Sequence, residues 1–125
     1  MICITGIPNS GKTTYSKRFE NPVHFDHFLE RYEKGFAIVT ETENAFVEGL
    51  FLKRKTREKL LSICGNNEKK TLIWLDTPVE ECISREGKPW YVVQSNARLV
   101  EFPTYAEGWD DIIIVRNGEE THLER

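Results

Sequence analysis

The segment Gly6-Ile7-Pro8-Asn9-Ser10-Gly11-Lys12-Thr13-Thr14 gathers the residue types that phosphate chemistry needs. Gly6 and Gly11, separated by Ile7, Pro8, Asn9 and Ser10, let a loop turn tightly, so that backbone N–H groups can face a phosphate chain at short range. Lys12 would set a mobile cation against the β- and γ-phosphates, and the Thr13 hydroxyl would ligate Mg²⁺. Thr14 would add a further hydroxyl contact. A helix starting at Gly11 would point its positive end at the same phosphates. No Gly-x-Gly-x-x-Gly dinucleotide fingerprint is present. The donor this segment implies is ATP or another nucleoside triphosphate, with Mg²⁺.

Other chemistry-bearing residues fall at expected strand and helix ends. In open parallel sheets, ligands sit at the carboxyl ends of the strands. Asp26 and Glu48 both end expected strands. Asp26 is the candidate to orient and deprotonate an acceptor hydroxyl, with a helix N-cap as its plainer alternative. Glu48 is the candidate to help hold Mg²⁺. Arg85 is the first choice to neutralise the transferring phosphoryl group, with Lys88 and Arg98 nearby in a candidate lid. Arg57 lies in the basic strip Lys53-Arg54-Lys55-Thr56-Arg57 and is a candidate for acceptor or ATP contact, while its neighbours read as a solvated helix face. His24 and His27 flank Asp26; phosphoryl transfer needs no histidine, so both read as structural or substrate-side residues.

The elements that must position these residues follow from apolar runs and punctuation. Ile2–Thr5 predicts a buried parallel strand ended by Gly6, and residues 11–19 predict a helix, which gives the phosphate loop its strand–loop–helix context. Pro22–Asp26 predicts a second strand. Residues 28–32 predict a short helix ended near Gly35, and residues 36–39 look strand-like before a helical turn. Residues 45–49 predict a strand, and residues 54–64 a helix stopped by Gly65. Thr71–Leu75 is the strongest strand signal. Thr77-Pro78-Val79-Glu80 predicts an N-capped helix over residues 78–85, with Thr77 as the cap. Gly87-Lys88-Pro89 breaks it before a helix over residues 90–99. Residues 112–115 predict the last buried strand, then an Asn117-Gly118 turn and a peripheral charged tail. Alternating strands and helices predict a single α/β domain over residues 1–125, with a five-stranded, mostly parallel sheet and helices on both faces.

Composition narrows the function classes. A net charge of −3 disfavours a broad nucleic-acid grip. No apolar run has membrane length. The opening Met1-Ile2-Cys3-Ile4 is too short for a secretory signal and has no basic flank. Cys3, Cys64 and Cys82 fit no metal or redox spacing and read as reduced thiols. The expected setting is the cytoplasm, or a host cytoplasm for a viral protein.

Four segments together carry a resemblance. The phosphate loop with its early proline, Val47-Glu48-Gly49-Leu50-Phe51-Leu52 with the trailing Arg57, Leu75 through Arg85, and Phe102-Pro103-Thr104-Tyr105-Ala106-Glu107-Gly108-Trp109-Asp110 resemble the P-loop kinases related to polynucleotide 5′-hydroxyl kinases. These occur in phages and as the kinase half of DNA-end repair enzymes. The resemblance implies strand order 2-3-1-4-5, Asp26 as general base, Arg85 as a lid residue, and a hydroxyl acceptor. Leu29 stands where that group usually has an acceptor-binding arginine; the nearest arginine is Arg31.

The leading expectation is therefore transfer of the γ-phosphate to the 5′-hydroxyl of a polynucleotide, with a ligase or phosphatase as the partner to expect. A kinase for a nucleoside, nucleotide or other small metabolite is the alternative, favoured by the acidic charge and by Leu29. A nucleotide-binding module or degenerate ATPase is the third.

Overall fold

The computed structural model describes residues 1–25 and 32–125. Asp26, Arg31 and the helix expected to begin at Phe28 lie outside the described residues. Six strands form one sheet: β1 (Ile2–Thr5), β2 (Val23–His24), β3 (Phe46–Gly49), β4 (Thr71–Leu75), β5 (Asp111–Arg116) and β6 (Glu119–His122), in the order β2-β3-β1-β4-β5-β6. The first five are mutually parallel, and β6 returns antiparallel on β5. The expected order is found, but the sheet has six strands where five were expected. The extra strand comes from the charged tail. Asn117 and Gly118, both at positive φ, turn the chain back, and the exposed β6 then pairs along the outer edge of β5.

The helices are α1 (Lys12–Ser16), α2 (Glu33–Thr40), α3 (Arg54–Ser62), α4 (Val79–Ser84) and α5 (Trp90–Ala97). Strand side chains alternate between two cores. Cys3, Val47, Leu72, Trp74, Ile112 and Ile114 face one side, where they meet Phe36 and Val39 of α2, Leu60 and Leu61 of α3, Cys82 of α4 and Val93 of α5. Ile4, Ile73, Leu75 and Val115 face the other side, against Tyr15 of α1 and Phe19. Both faces of the sheet are covered, so its central strands read as continuous apolar runs.

Three local expectations are corrected. Residues 36–39 are helical, within α2, because Phe36 and Val39 are buried while Ala37 and Ile38 are exposed, a spacing of three that only a helix can bury on one side. Gly35 does not stop a helix but lies inside α2. A Cβ there would stand 2.7 Å from the Phe25 ring, so the residue is small to admit that ring. Helix α1 is shorter than expected, ending at Ser16, with turns carrying the chain on to Phe19.

Candidate active site

The loop after β1 and the lid segment after α4 enclose one end of the sheet. They open onto a cleft of about 1120 Å³ lined by loop residues, Glu48, Thr77, Arg85 and Lys88. Small-ligand sites typically occupy roughly 300–1,000 Å³, so there is room for a nucleotide and an acceptor together. Every described residue expected to bind nucleotide, from Pro8 to Thr14, lines this cleft except Gly6, which is buried at the root of the loop.

The loop is held by its own short-range contacts. Gly11 takes φ 101 at the N-terminal end of α1. The ammonium of Lys12 is buried and donates to the Ile7 carbonyl at 2.9 Å, which places it inside the loop's curve. Thr13 and Thr14 are exposed on the first turn of α1. Among the described residues, the buried hydroxyl of Ser10 has no hydrogen-bond partner. Beneath the loop, burial pushes the Cys82 thiol up from its ordinary range, against the pull of Arg85 and Lys12, so the thiol stays protonated.

Thr77 departs from its expected role. It does not cap α4, whose N-terminal end has Pro78 at the cap position and no side-chain cap. Its hydroxyl instead donates to the Ser10 carbonyl at 2.9 Å and ties the end of β4 to the loop. A capping box is found instead at Thr104 and Glu107.

Arg85 sits over the loop. One Nη donates to the Asn9 carbonyl at 2.9 Å and the other to Glu81 at 3.0 Å. Its side chain is partly exposed, so it remains within reach of an anion in the loop. Lys88 also lines the cleft. Arg98 ends α5 on the surface and is not among the lining residues. Glu48, at the end of β3, points its buried carboxylate into the cleft and accepts from His24 Nδ1 at 2.8 Å. His24 is thus the carboxylate's structural partner. No pattern of spacing shows that pairing; it follows from the β2–β3 register, which sets His24 beside Glu48.

Arg57 is placed far from the role suggested for it. It is fully buried, and all five of its N–H groups are engaged: Nε and Nη2 with the Glu107 carboxylate at 2.7 and 2.8 Å, Nη1 with the carbonyls of Phe51 and Leu52, and Nη2 with that of Glu101. It has no donor left for a nucleotide or an acceptor. Glu107 also accepts from Trp109 Nε1. Burial acts to raise its pKa, but the bonds from Arg57 and Trp109 outweigh burial and hold it below the usual carboxylate range. Through the buried Glu107 and Trp109, the Phe102–Asp110 segment is therefore clamped onto α3.

The donor set in the cleft suits Mg²⁺. Mg²⁺ is commonly held by one or two protein oxygens, with phosphates and waters completing the octahedron. The Thr13 hydroxyl and the Glu48 carboxylate are hard oxygen donors lining the same cleft. Among the described residues there is no group of three or more His, Cys, Asp or Glu that could hold a metal ion.

No protein-family model and no curated protein sequence matches the chain. A solved structure does: the crystal structure of a gluconokinase from Sinorhizobium meliloti 1021 superposes with a TM-score of 0.66 over 91% of this chain and 80% of that one, at 17% identity. The fold is that of the P-loop kinases. At such identity the likeness is one of fold. Among the described residues, no helix is long and apolar enough to cross a membrane.

Proposed function

We propose that this chain is a phosphotransferase that moves the γ-phosphate of ATP onto a hydroxyl of a small-molecule acceptor, working as one P-loop kinase domain over residues 1–125. The observation that carries this reading is the convergence of Lys12, Arg85 and the Glu48 carboxylate on one cleft around the loop. A plain nucleotide-binding module needs no half-exposed arginine over its phosphate loop. The gluconokinase whose fold is similar is a kinase by name, which supports a small hydroxylated acceptor.

In this reading the acceptor oxygen attacks the γ-phosphorus in line, and the bond to the β-bridging oxygen breaks to release ADP. Asp26, which follows β2 in sequence, takes the hydroxyl proton. Lys12 leaves the Ile7 carbonyl for the β- and γ-oxygens, and Arg85 leaves the Asn9 carbonyl for the transferring phosphoryl group. Thr13 and Glu48 would hold Mg²⁺, which supplies neutralising charge at the phosphates when bound. Cys3, Cys64 and Cys82 are all free thiols, which fits a reducing cytoplasmic setting.

A 5′-hydroxyl polynucleotide is the second reading. Trp90 and Tyr91 favour it: both are exposed at the start of α5, directly after the lid, and offer aromatic faces on which bases could stack. A ligase or phosphatase partner would then be in keeping.

The test offers γ-labelled ATP and Mg²⁺ with a panel of sugars, sugar acids, nucleosides and a 5′-hydroxyl oligonucleotide. Label on a small acceptor supports the proposal, and label on the oligonucleotide alone replaces it with the second reading. Release of free phosphate alone overturns both. An Asp26→Asn variant should lose transfer and keep ATP binding.

A further inference from the structure

We infer that Asn9 is a positioning residue: its side chain latches the lid segment onto the phosphate loop and so sets Arg85 for phosphoryl transfer. The inference rests on the kinase reading above for its catalytic part.

Three hydrogen bonds carry it. Asn9 Nδ2 donates to the Cys82 carbonyl at 3.0 Å and to the Lys88 carbonyl at 2.9 Å, and Asn9 Oδ1 accepts from the Lys88 N–H at 3.0 Å. One amide thus grips the lid on both sides of Arg85, three residues before it and three after. The backbone of the same residue supplies the carbonyl on which Arg85 rests. Asn9 sits at φ 66, a left-handed conformation that Asn tolerates better than most residues. The lid is shaped to receive it. Gly87 sits at φ 132, and a Cβ there would stand 2.6 Å from Asn9 Oδ1. Both partners are therefore specified, one by its amide and the other by its lack of a side chain. An arginine that must trade a loop carbonyl for a phosphoryl oxygen needs a fixed pivot, and the Asn9 amide provides it. Among the described loop residues, Asn9 alone joins the loop to residue 88.

The test uses Asn9→Gly, which accepts the positive φ and deletes the latch, and Gly87→Ala, which disturbs it from the lid side. Amide hydrogen exchange at Lys88 reports the latch directly and needs no turnover. Exchange at Lys88 should rise at least tenfold in Asn9→Gly. With an acceptor found by the panel above, kcat should fall about 10- to 100-fold with the KM for ATP changed less than about threefold. In an Arg85→Ala background the same Asn9→Gly change should cost less than about threefold, because Asn9 acts through Arg85. Gly87→Ala should reproduce the pattern. Unchanged exchange at Lys88 overturns the latch, and equal losses with and without Arg85 overturn its action through that residue. If the wild-type protein transfers no phosphate to any acceptor, the kinase reading falls while the exchange measurement still decides the latch.

Discussion

Arg57 and Arg85 each have a glutamate partner, and each sits on or beside a short helix packed on the same side of the sheet. Their environments differ in almost every physical respect. Arg57 is fully buried with every donor spent, and its charge is locked to Glu107 within a cage of carbonyls. Arg85 is partly exposed, bonded to one loop carbonyl and to the exposed Glu81. The first arrangement fixes backbone and leaves nothing for a ligand. The second is weak enough to be exchanged for a phosphate. A guanidinium's role is thus set by how many of its five N–H groups the protein already uses.

The largest effect should come from breaking the buried cage. Arg57→Ala removes the cation beside a buried carboxylate and the donor to the Phe51 and Glu101 carbonyls, and should destabilise by about 3–5 kcal/mol. Thermal unfolding should shift down by roughly 10–20 °C. Replacing both partners, as Arg57→Met with Glu107→Leu, should not restore stability, because the carbonyls of Phe51 and Glu101 still lack the donor Arg57 gave them. Recovery in that double variant would show that the ion pair, and not the carbonyl cage, carries the clamp.

Arg85→Ala should show the reverse pattern. We expect kcat to fall about 100-fold, comparable to the loss of one transition-state donor, with the unfolding temperature moving by less than about 2 °C. A large stability loss there would erase the contrast with Arg57.

Acid should find the clamp before the lid. The Glu107 pKa is held below its ordinary value of 4.5 in the folded chain, so its stabilisation is fully present above that value. It is lost as pH falls through the lower folded pKa. Stability measured by denaturant unfolding should therefore drop below about pH 4.5, and Glu107→Gln should flatten that limb. The smallest effect should follow Glu81→Gln. An exposed pair four residues apart contributes only about 0.3–0.5 kcal/mol, and activity should stay within about threefold of wild type.

Much of this arrangement was legible in the sequence. The phosphate loop, the alternation of strands and helices and the place of Arg85 before the lid break follow from local signals: glycine spacing, apolar runs, and a Gly-Lys-Pro break; the strand order came from the resemblance. What was not legible depends on contacts across long sequence separations. Arg57 and Arg85 look alike in sequence, and only the fifty-residue separation between Arg57 and Glu107, closed by the fold, distinguishes them. Thr77 has the local pattern of a cap, yet its hydroxyl reaches Ser10, 67 residues away in the chain. Residues 36–39 are apolar enough for a strand, and tertiary packing of Phe36 and Val39 made them helix. The charged tail gave no strand period, because β6 is exposed along its whole length and is held by its edge pairing with β5. Asp26 and Arg31, the expected base and the nearest acceptor-side arginine, lie outside the described residues, and their roles rest on sequence.

The most direct test of the central claim is single-turnover transfer of the labelled γ-phosphate to the best acceptor of the panel, with wild type and Lys12→Ala compared at saturating ATP and Mg²⁺. Lys12 is the cation at the centre of the loop. The account predicts label on the acceptor's hydroxyl with wild type and at least a 100-fold slower transfer with Lys12→Ala. Label released only as free phosphate, or transfer that Lys12→Ala leaves at a wild-type rate, would contradict it.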